Sequence, residues 1–365
     1  VIKMAGQRCG ITSTDYIRIG DQILDHGDYS GPGGARTLLR HPDTEVAILE
    51  VARGGILRRG LGVNQAHCAA ITNVAADHLG DYGIDDVTDM VATKFVVRQA
   101  LDRHQDLILN ADDKGVVEFA KNLDNTLVWF SWDVENPVIQ KHLQNGGKAV
   151  YIRHDMLCYH DGREVPVVPV IDMPICMGGF ARHNIHNAMV VVAMMYSMKV
   201  ELAAIQKGLR TFESSTQNNP GRGNLFAVKD FHVLVDFAHN EHGLAAMANT
   251  IKSMPAKRRL VLMGQAGDRN NNLIKGFVNS ALLAEPDCLV VCEMKDYLRG
   301  RELGEISQLI SRYAMNNGMT SKQIILAPSP LEGTRKALEW AQEGDVLLIL
   351  CLTDRNQVLE LIGNC

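Results

Sequence analysis

Asn73 falls at the end of an apolar run at residues 69–74, Asp77 and His78 follow it, and Gly80 ends the segment. Glu50 closes a second apolar run at residues 46–50. Lys94 lies within residues 87–101, whose apolar spacing predicts a helix. In a parallel α/β sheet, polar groups at the carboxyl ends of buried strands face the ligand crevice. A carboxylate, an imidazole and an ammonium gathered there could hold a metal ion and a phosphorylated ligand. A helix-capping Asp77 and a solvated His78 account for the same residues equally simply.

Other polar groups lie along the chain. Thr12-Ser13-Thr14-Asp15 ends a strand read over residues 9–14, and its hydroxyls could bind phosphate or carboxylate, or merely cap a turn. Residues 27–36 are rich in glycine but lack the Lys-Ser/Thr of a phosphate loop, so their nucleotide signal is weak. Arg53, Arg58 and Arg59 flank Gly54-Gly55, where paired glycines let backbone approach a ligand. Three arginines suit an anionic ligand, and a solvated basic face explains them as well. Asn110-Ala111-Asp112-Asp113 ends an apolar run at residues 107–109.

These clusters need elements to carry them. The first half reads as strands at residues 46–50, 69–74, 107–109 and 127–132 with a helix at 87–101, a βαβ pattern that implies a parallel sheet. Residues 148–174 change to short β runs and turns, expected as antiparallel hairpins at a sheet edge. Residues 178–187 open a long apolar helix to about residue 198, and a second helix spans about 201–212. Residues 213–224, with Asn219-Pro220-Gly221-Arg222, read as an interdomain linker. Beyond it, strands at 232–237, 259–263, 288–292, 323–326 and 346–352 alternate with helices at 245–254, 273–283, 302–315 and 331–342. This predicts a doubly wound domain without the Gly-x-Gly-x-x-Gly of a nicotinamide-cofactor fold. Four polar clusters end its strands: Asp236-Phe-Ala-His239-Asn240, Gly264-Gln-Ala-Gly267-Asp268-Arg269, Glu293-Met-Lys295-Asp296 and Thr353-Asp354-Arg355. Four on one edge mark a cleft.

Bulk properties narrow the class. The 365 residues can bury two or three cores, and 46% hydrophobic with 22% charged residues is ordinary for a globular protein. A net charge of −5 gives no reason to expect nucleic acid or an anionic membrane as partner. No secretory leader is read, and the eight cysteines have no metal-type spacing. Reduced core thiols in a cytoplasmic protein are expected. Residues 1–7 read as the tail of a helix, with further chain expected upstream.

In this order the clusters resemble the Mur ligase superfamily. The matching pieces are Asn73…Asp77-His78, Lys94, His183-Asn184…Asn187, Pro220-Gly221-Arg222, Asp236-Phe-Ala-His239-Asn240 and Gly267-Asp268-Arg269, which together cover nearly the whole chain. Four further pieces are similar to the Mur-ligase-like half of the cyanophycin synthetase family: Gly31-Pro32…Ala35-Arg36, Leu49-Glu50-Val-Ala-Arg53-Gly54-Gly55-Ile56, Asn219-Pro-Gly-Arg222-x-Asn224-Leu225 and Leu298-Arg299-Gly300-Arg301. The resemblance implies an α/β chain. A Mur-ligase-like central parallel-sheet ATPase domain with an antiparallel edge (residues 1–218) would precede a Rossmann-like doubly wound C-terminal domain (219–365). It also implies a phosphate loop about one helix before Val1. None occurs in the chain, so the central domain is expected to be N-terminally truncated here, or to lack the loop.

The implied activity is that of an ATP-dependent amide ligase, a carbon–nitrogen ligase. ATP would phosphorylate a substrate carboxylate, and an amine would attack the acyl phosphate. The cofactors implied are ATP and Mg²⁺. Glu50 and His78 would ligate or orient the metal, and Lys94 would be the lysine that many relatives carbamylate into a further ligand. Lys94, His78, Glu50 and Arg222 are the implied catalytic set. Asn184, Asn187, Arg222, Asp236 and His239 would meet ATP. Thr14, Arg53, Asp268 and Arg269 are expected to bind substrate. In the cyanophycin synthetase family this half joins arginine, through its α-amine, to the β-carboxylate of aspartate. The implied partners are therefore arginine and an aspartate-rich polymer, with a homo-oligomeric assembly. Glu293, Asp296 and Asp354 could hold a guanidinium. A Mur-type ligase for another acid and amine, or a non-catalytic Mur-like module, stays open beside this reading.

Overall fold

The computed structural model describes every residue except 77–79 and 81, so the readings on Asp77 and His78 fall outside the described residues. Contacts divide the chain into two units, residues 1–179 with 183–212, and residues 213–365 with 180–182.

The first unit carries two sheets. In the smaller one, β1 (Cys9–Thr12) lies parallel to β4 (Val46–Leu49) and antiparallel to β2 (Tyr16–Ile19), which pairs with β3 (Gln22–His26). The β2–β3 hairpin is absent from the sequence reading, which saw only a polar turn there. Its alternation is nonetheless regular: Ile17 and Ile19 point inward and pack with Leu38. Part of the glycine-rich stretch is helical, as α1 (Pro32–Leu39), with Pro32 in its first turn. A Cβ on Gly34 would stand 2.1 Å from the Tyr29 carbonyl oxygen, so this glycine serves a close backbone approach. Gly54 and Gly55 likewise lie in a helix, α2 (Arg53–Arg59), where a Cβ on Gly55 would meet the Gly31 Cα at 3.1 Å. Gly55 thus admits the chain's own backbone, and Gly54 the Arg58 side chain.

The larger sheet contains β5 (Cys68–Ile71), β6 (Asp106–Asn110), β7 (Thr126–Ser131), β8 (Lys148–Arg153), β9 (Met156–Asp161) and β10 (Arg163–Pro169), in spatial order β10-β9-β8-β7-β6-β5. The first four are parallel, and β9 and β10 form the expected antiparallel edge. The intervening helices are α3 (Val87–Lys94), α4 (Lys114–Ala120) and α5 (Pro137–Gln144), the last two unread in the sequence. The helix expected to reach residue 101 becomes 3-10 at Phe95, so Lys94 is the last residue of α3. Next, α6 (Arg182–Ser197) and α7 (Leu202–Thr211) follow. Helix α6 starts later than expected, because Met177 (φ 50°) and Gly178 (φ 69°) take left-handed backbone. Cys9 and Val46 of the small sheet and Cys68 and Ala70 of the large one pack against one shared core with Met189 and Val192 of α6.

The second unit holds β11 (Asn224–Val228), β12 (Phe231–Asp236), β13 (Arg259–Met263), β14 (Cys288–Cys292), β15 (Ile324–Ala327) and β16 (Val346–Leu350). Their order is β11-β12-β16-β13-β14-β15, all parallel save β11. The helices are α8 (Glu241–Ser253), α9 (Asn271–Leu282), α10 (Glu305–Asn316), α11 (Pro330–Trp340) and α12 (Arg355–Gly363). The expected five-strand domain gains β11 and α12. Strand β11 starts at Asn224 inside the expected linker. That residue is 2% exposed, accepts from the Gly221 amide (2.6 Å) and donates to the Ser214 (2.7 Å) and Asn219 (2.9 Å) carbonyls. A buried amide with its bonds made pins a tight turn.

Among the described residues no helix is long and apolar enough to cross a membrane. All eight cysteines are free thiols, and Cys365 is the exposed one.

Candidate functional site

In the small sheet, the parallel pairing of β1 with β4 brings the ends of both strands together. The Thr14 hydroxyl donates to Glu50 Oε1 (2.6 Å) and its amide to Oε2 (3.1 Å). Thr14 and Glu50, read separately as substrate and metal residues, thus form one exposed pair. Each carboxylate oxygen keeps lone pairs beyond this bond.

The larger sheet holds its loops through its strand ends. Asn110, 5% exposed, donates to the Thr72 carbonyl (2.8 Å), and Asp113 accepts from the Val74 amide (2.7 Å) while capping α4. The segment after β5 that carries Asn73 is therefore tied to the end of β6. Asp112 is the centre of a denser network. It accepts from the Ser131 hydroxyl (2.6 Å), the Trp132 amide (2.9 Å), the Asn136 side chain (3.0 Å) and His186 Nε2–H (3.2 Å). Burial opposes ionisation of Asp112, but the bonds from His186, Ser131 and Trp132 outweigh it and hold its pKa down to about 2. The partners lie up to 74 residues away in sequence, so neither Asp112 nor His186 was assigned a role beforehand.

Helix α6 brings up the His-Asn motif. Asn184 is buried, gives its amide to the Ile175 carbonyl (2.8 Å) and accepts from Asn187 (3.3 Å). Asn187 is exposed. His183 is pushed down to about 4 by burial and then by neighbouring His186, and its Nδ1 is buried without a partner. Lys94 and Arg53 are both half-buried, at the end of α3 and the start of α2.

In the second unit, Arg222 and Asp236 share a corner. The Arg222 guanidinium stacks over the Phe237 ring at 4.8 Å. Asp236 accepts from the amides of Gly223 (2.8 Å) and Ala238 (2.7 Å). Burial raises its carboxyl to about 6, against the lowering effects of Arg222 and the amides. His239 Nδ1 lies 3.2 Å from the Phe237 carbonyl, and Asn240 caps α8.

A second corner follows β13. Asp268 pairs with Arg299, and Arg301 donates to the carbonyls of Gly267 (3.0 Å) and Arg269 (2.8 Å) and to Asn271 (2.9 Å). A Cβ on Gly267 would lie 1.8 Å from the Leu298 carbonyl oxygen, so only glycine lets these loops meet. Arg299 and Arg301 were read only as part of a resemblance. The sequence signal for their role is a basic pair beside an acidic strand end. Of the three acids weighed for a guanidinium, Glu293 has a buried Oε1 without a partner.

No group of three or more His, Cys, Asp or Glu suited to a metal occurs among the described residues. Glu50 is the described carboxylate of the expected metal set, and His78 falls outside the described residues.

The chain matches the family model of the Mur ligase middle domain over residues 3–195 and that of the Mur ligase, glutamate ligase domain over 221–351. It is 35% identical over 86% of its length to a cyanophycin synthetase from Nostoc sp., covering 34% of that protein. It is 33% identical over 96% of its length to one from Synechocystis sp., covering 40%. The chain thus spans little more than a third of these relatives. A UDP-N-acetylmuramate–L-alanine ligase from Clostridium novyi is 25% identical over 71% of the chain and is matched over 52% of its own length. Among solved structures, E. coli FolC in complex with ADP superposes with a TM-score of 0.66 at 16% identity, covering 100% of this chain and 84% of that one. A folylpolyglutamate synthase/dihydrofolate synthase from Yersinia pestis, complexed with AMPPNP and Mn ion, gives 0.67 at 18% identity, covering 100% and 83%. These two show the fold. With one family model spanning more than half of its residues and a second spanning most of the remainder, the chain belongs to the Mur ligase family.

Proposed function

We propose that this chain is the arginine-adding part of an ATP-dependent amide ligase. It would join the α-amine of arginine to the β-carboxylate of an aspartate in cyanophycin, by way of an acyl phosphate. The observation that carries the reading is the 35% identity to a cyanophycin synthetase along 86% of the chain. Residues 1–218 would act as the ATP-binding domain and residues 219–365 as the domain that delivers the amine.

The residues present fit the groups this reaction needs. Glu50 is an exposed oxygen donor oriented by Thr14, the ligand type a hard divalent cation takes alongside phosphate oxygens and water. A bound Mg²⁺ would neutralise charge on the transferring phosphoryl group. Lys94 would contribute an ammonium to the phosphates, or a carbamate oxygen to the metal, and His78 would complete the set. Asn187, with Asn184 behind it, would meet the nucleotide. Arg222, Asp236 and His239 are the second unit's proposed ATP-binding residues. Asp268 and Arg269, braced by Arg299 and Arg301, would order the incoming amino acid. Arg53 would face the acidic acceptor. The unpartnered Oε1 of Glu293 makes this residue the favoured seat for the guanidinium over Asp296 and Asp354.

The test is ATP turnover by the intact protein with arginine and an aspartate-rich primer. Turnover that requires arginine is expected, and turnover indifferent to it overturns the substrate assignment. Glu293→Gln should raise KM for arginine more than it lowers kcat. A second reading, a ligase for another acid and amine, draws on the description of the C-terminal model as a glutamate ligase domain. A panel of amino acids in the same assay separates the two.

A further inference from the structure

The amino ends of the large sheet's parallel strands carry a cavity of about 530 Å³, lined by none of the candidate site residues. His67 precedes β5, Asp106 opens β6 and Lys148 opens β8, and the ends of α6 and β9 complete the wall. The candidate site lies at the carboxyl ends of the same strands. A five-residue strand such as β6 separates the two edges by about 15 Å.

The floor of the cavity is internally satisfied. Asp106, 6% exposed, accepts from Ser197 (2.7 Å) and from Lys148 Nζ (3.2 and 3.4 Å). Tyr159 and Tyr196 stack beside it with ring centroids 3.8 Å apart, an apolar wall in a polar pocket. The rim is unlike the floor. Arg163 and Lys199 are exposed, and among the described residues neither has an acidic partner. His67 and His104 line the same rim. Three lysine and arginine side chains against Asp106 and Asp161 leave the lining net positive before any imidazole is counted. A chain whose overall charge is −5 here presents a local basic mouth over an aromatic wall. The volume is that of a small-molecule pocket.

We propose that this cavity binds a small organic oxyanion, a carboxylate or phosphate ester of a few carbon atoms. Its anionic head meets Arg163 and Lys199, and its carbon stem lies on Tyr159, Tyr196 and Val165. The site stands apart from the ligase reading and does not depend on it. Lys148 stays with Asp106 and offers its remaining N–H groups to the same head.

The experiment titrates the chain with succinate and, separately, with glycerol 3-phosphate, by calorimetry and by NMR of the histidine rings. His67→Gln and His104→Gln assign the ring signals. Saturable binding of either anion is expected, with the His67 and His104 signals moving together. In the Arg163→Ala/Lys199→Ala double variant, affinity should fall at least about tenfold, since both changes remove exposed charges and leave the floor intact. Its thermal unfolding midpoint, matched to that of the parent, shows that the fold persists. A preference for succinate names a carboxylate ligand, and a preference for glycerol 3-phosphate names a phosphate ester. No saturable binding of either anion, or equal binding by the double variant, overturns the proposal.

Discussion

Asp112 and Asp236 occupy the same place in two different sheets. Asp112 follows the carboxyl end of β6 and accepts one backbone amide, and Asp236 ends β12 and accepts two. Their electrostatics run in opposite directions. Asp112 adds two side-chain donors and an imidazole and is held ionised with a pKa of about 2, while Asp236 has the Arg222 charge and its amides against stronger burial and rises to about 6. The position in the fold therefore does not decide a strand-end carboxylate's charge. The donors that the neighbouring loops deliver decide it. The first unit spends its carboxylate on bracing loops, and the second keeps one that titrates near neutrality beside Arg222.

The comparison can be broken most sharply by deletion. Asp112→Ala strands the donors of Ser131, Asn136, His186 and Trp132, and should destabilise the first unit by roughly 3 kcal/mol. Asp236→Ala also removes a charge that burial disfavours, and should cost only about 1 kcal/mol. Tryptophan fluorescence in urea separates the units, because Trp129 and Trp132 report the first and Trp340 the second. Equal losses would mean that Asp112 is no brace.

The pH dependence sharpens it further. Asp112 has a depressed folded pKa of about 2, so its contribution is present above the unfolded value and is lost as pH falls through 2. That contribution is about 2 kcal/mol. His183, lowered to about 4, acts in the same sense at higher pH, losing its contribution as pH falls from the unfolded histidine value through 4. Asp236 has a raised folded pKa, so its contribution is present below the unfolded value and is lost as pH rises through 6. Urea midpoints read from the two sets of tryptophans between pH 3 and 7 should thus diverge. Parallel curves would contradict the assignment.

Two smaller effects complete the test. Arg222→Ala removes a charge that lowers Asp236, so the Asp236 carboxyl should titrate above 6 by carbon-detected NMR. An unchanged value would mean that Arg222 does not act on it. His186→Gln keeps a donor toward Asp112 and should cost within about 1 kcal/mol, against the larger loss for Asp112→Ala.

The alternation of strands and helices in the second unit was legible because each strand is a short apolar run and each helix keeps its period. The strand-end clusters were legible too, since polar residues break those runs abruptly. What escaped has physical causes. Gly33 and Gly34 look like loop residues, yet Pro32 starts a helix and the Tyr29 carbonyl demands the missing Cβ at Gly34. Strand β11 hides in a polar stretch because Asn224 is buried through hydrogen bonds and not through hydrophobicity. The Thr14–Glu50 and Asp112–His186 pairs join residues 36 and 74 positions apart, a separation at which one sequence carries no local signal. Residue types nominated the candidate site, and strand pairing decided which of those residues touch.

The free thiols give the chain a built-in clock for its own opening. Burial pushes Cys68, Cys176 and Cys351 up to about 12 and Cys158 and Cys288 up to about 11, and raises Cys9 and Cys292 as well. Thiolate reacts and thiol does not, so burial slows these seven on the folded chain, Cys365 is the exposed thiol, and unfolding opens all eight to an alkylating reagent. Cys9, Cys68, Cys158 and Cys176 belong to the first unit and Cys288, Cys292 and Cys351 to the second. Counting which of them acquires mass, and in what order, would time the loosening of each unit without any added probe.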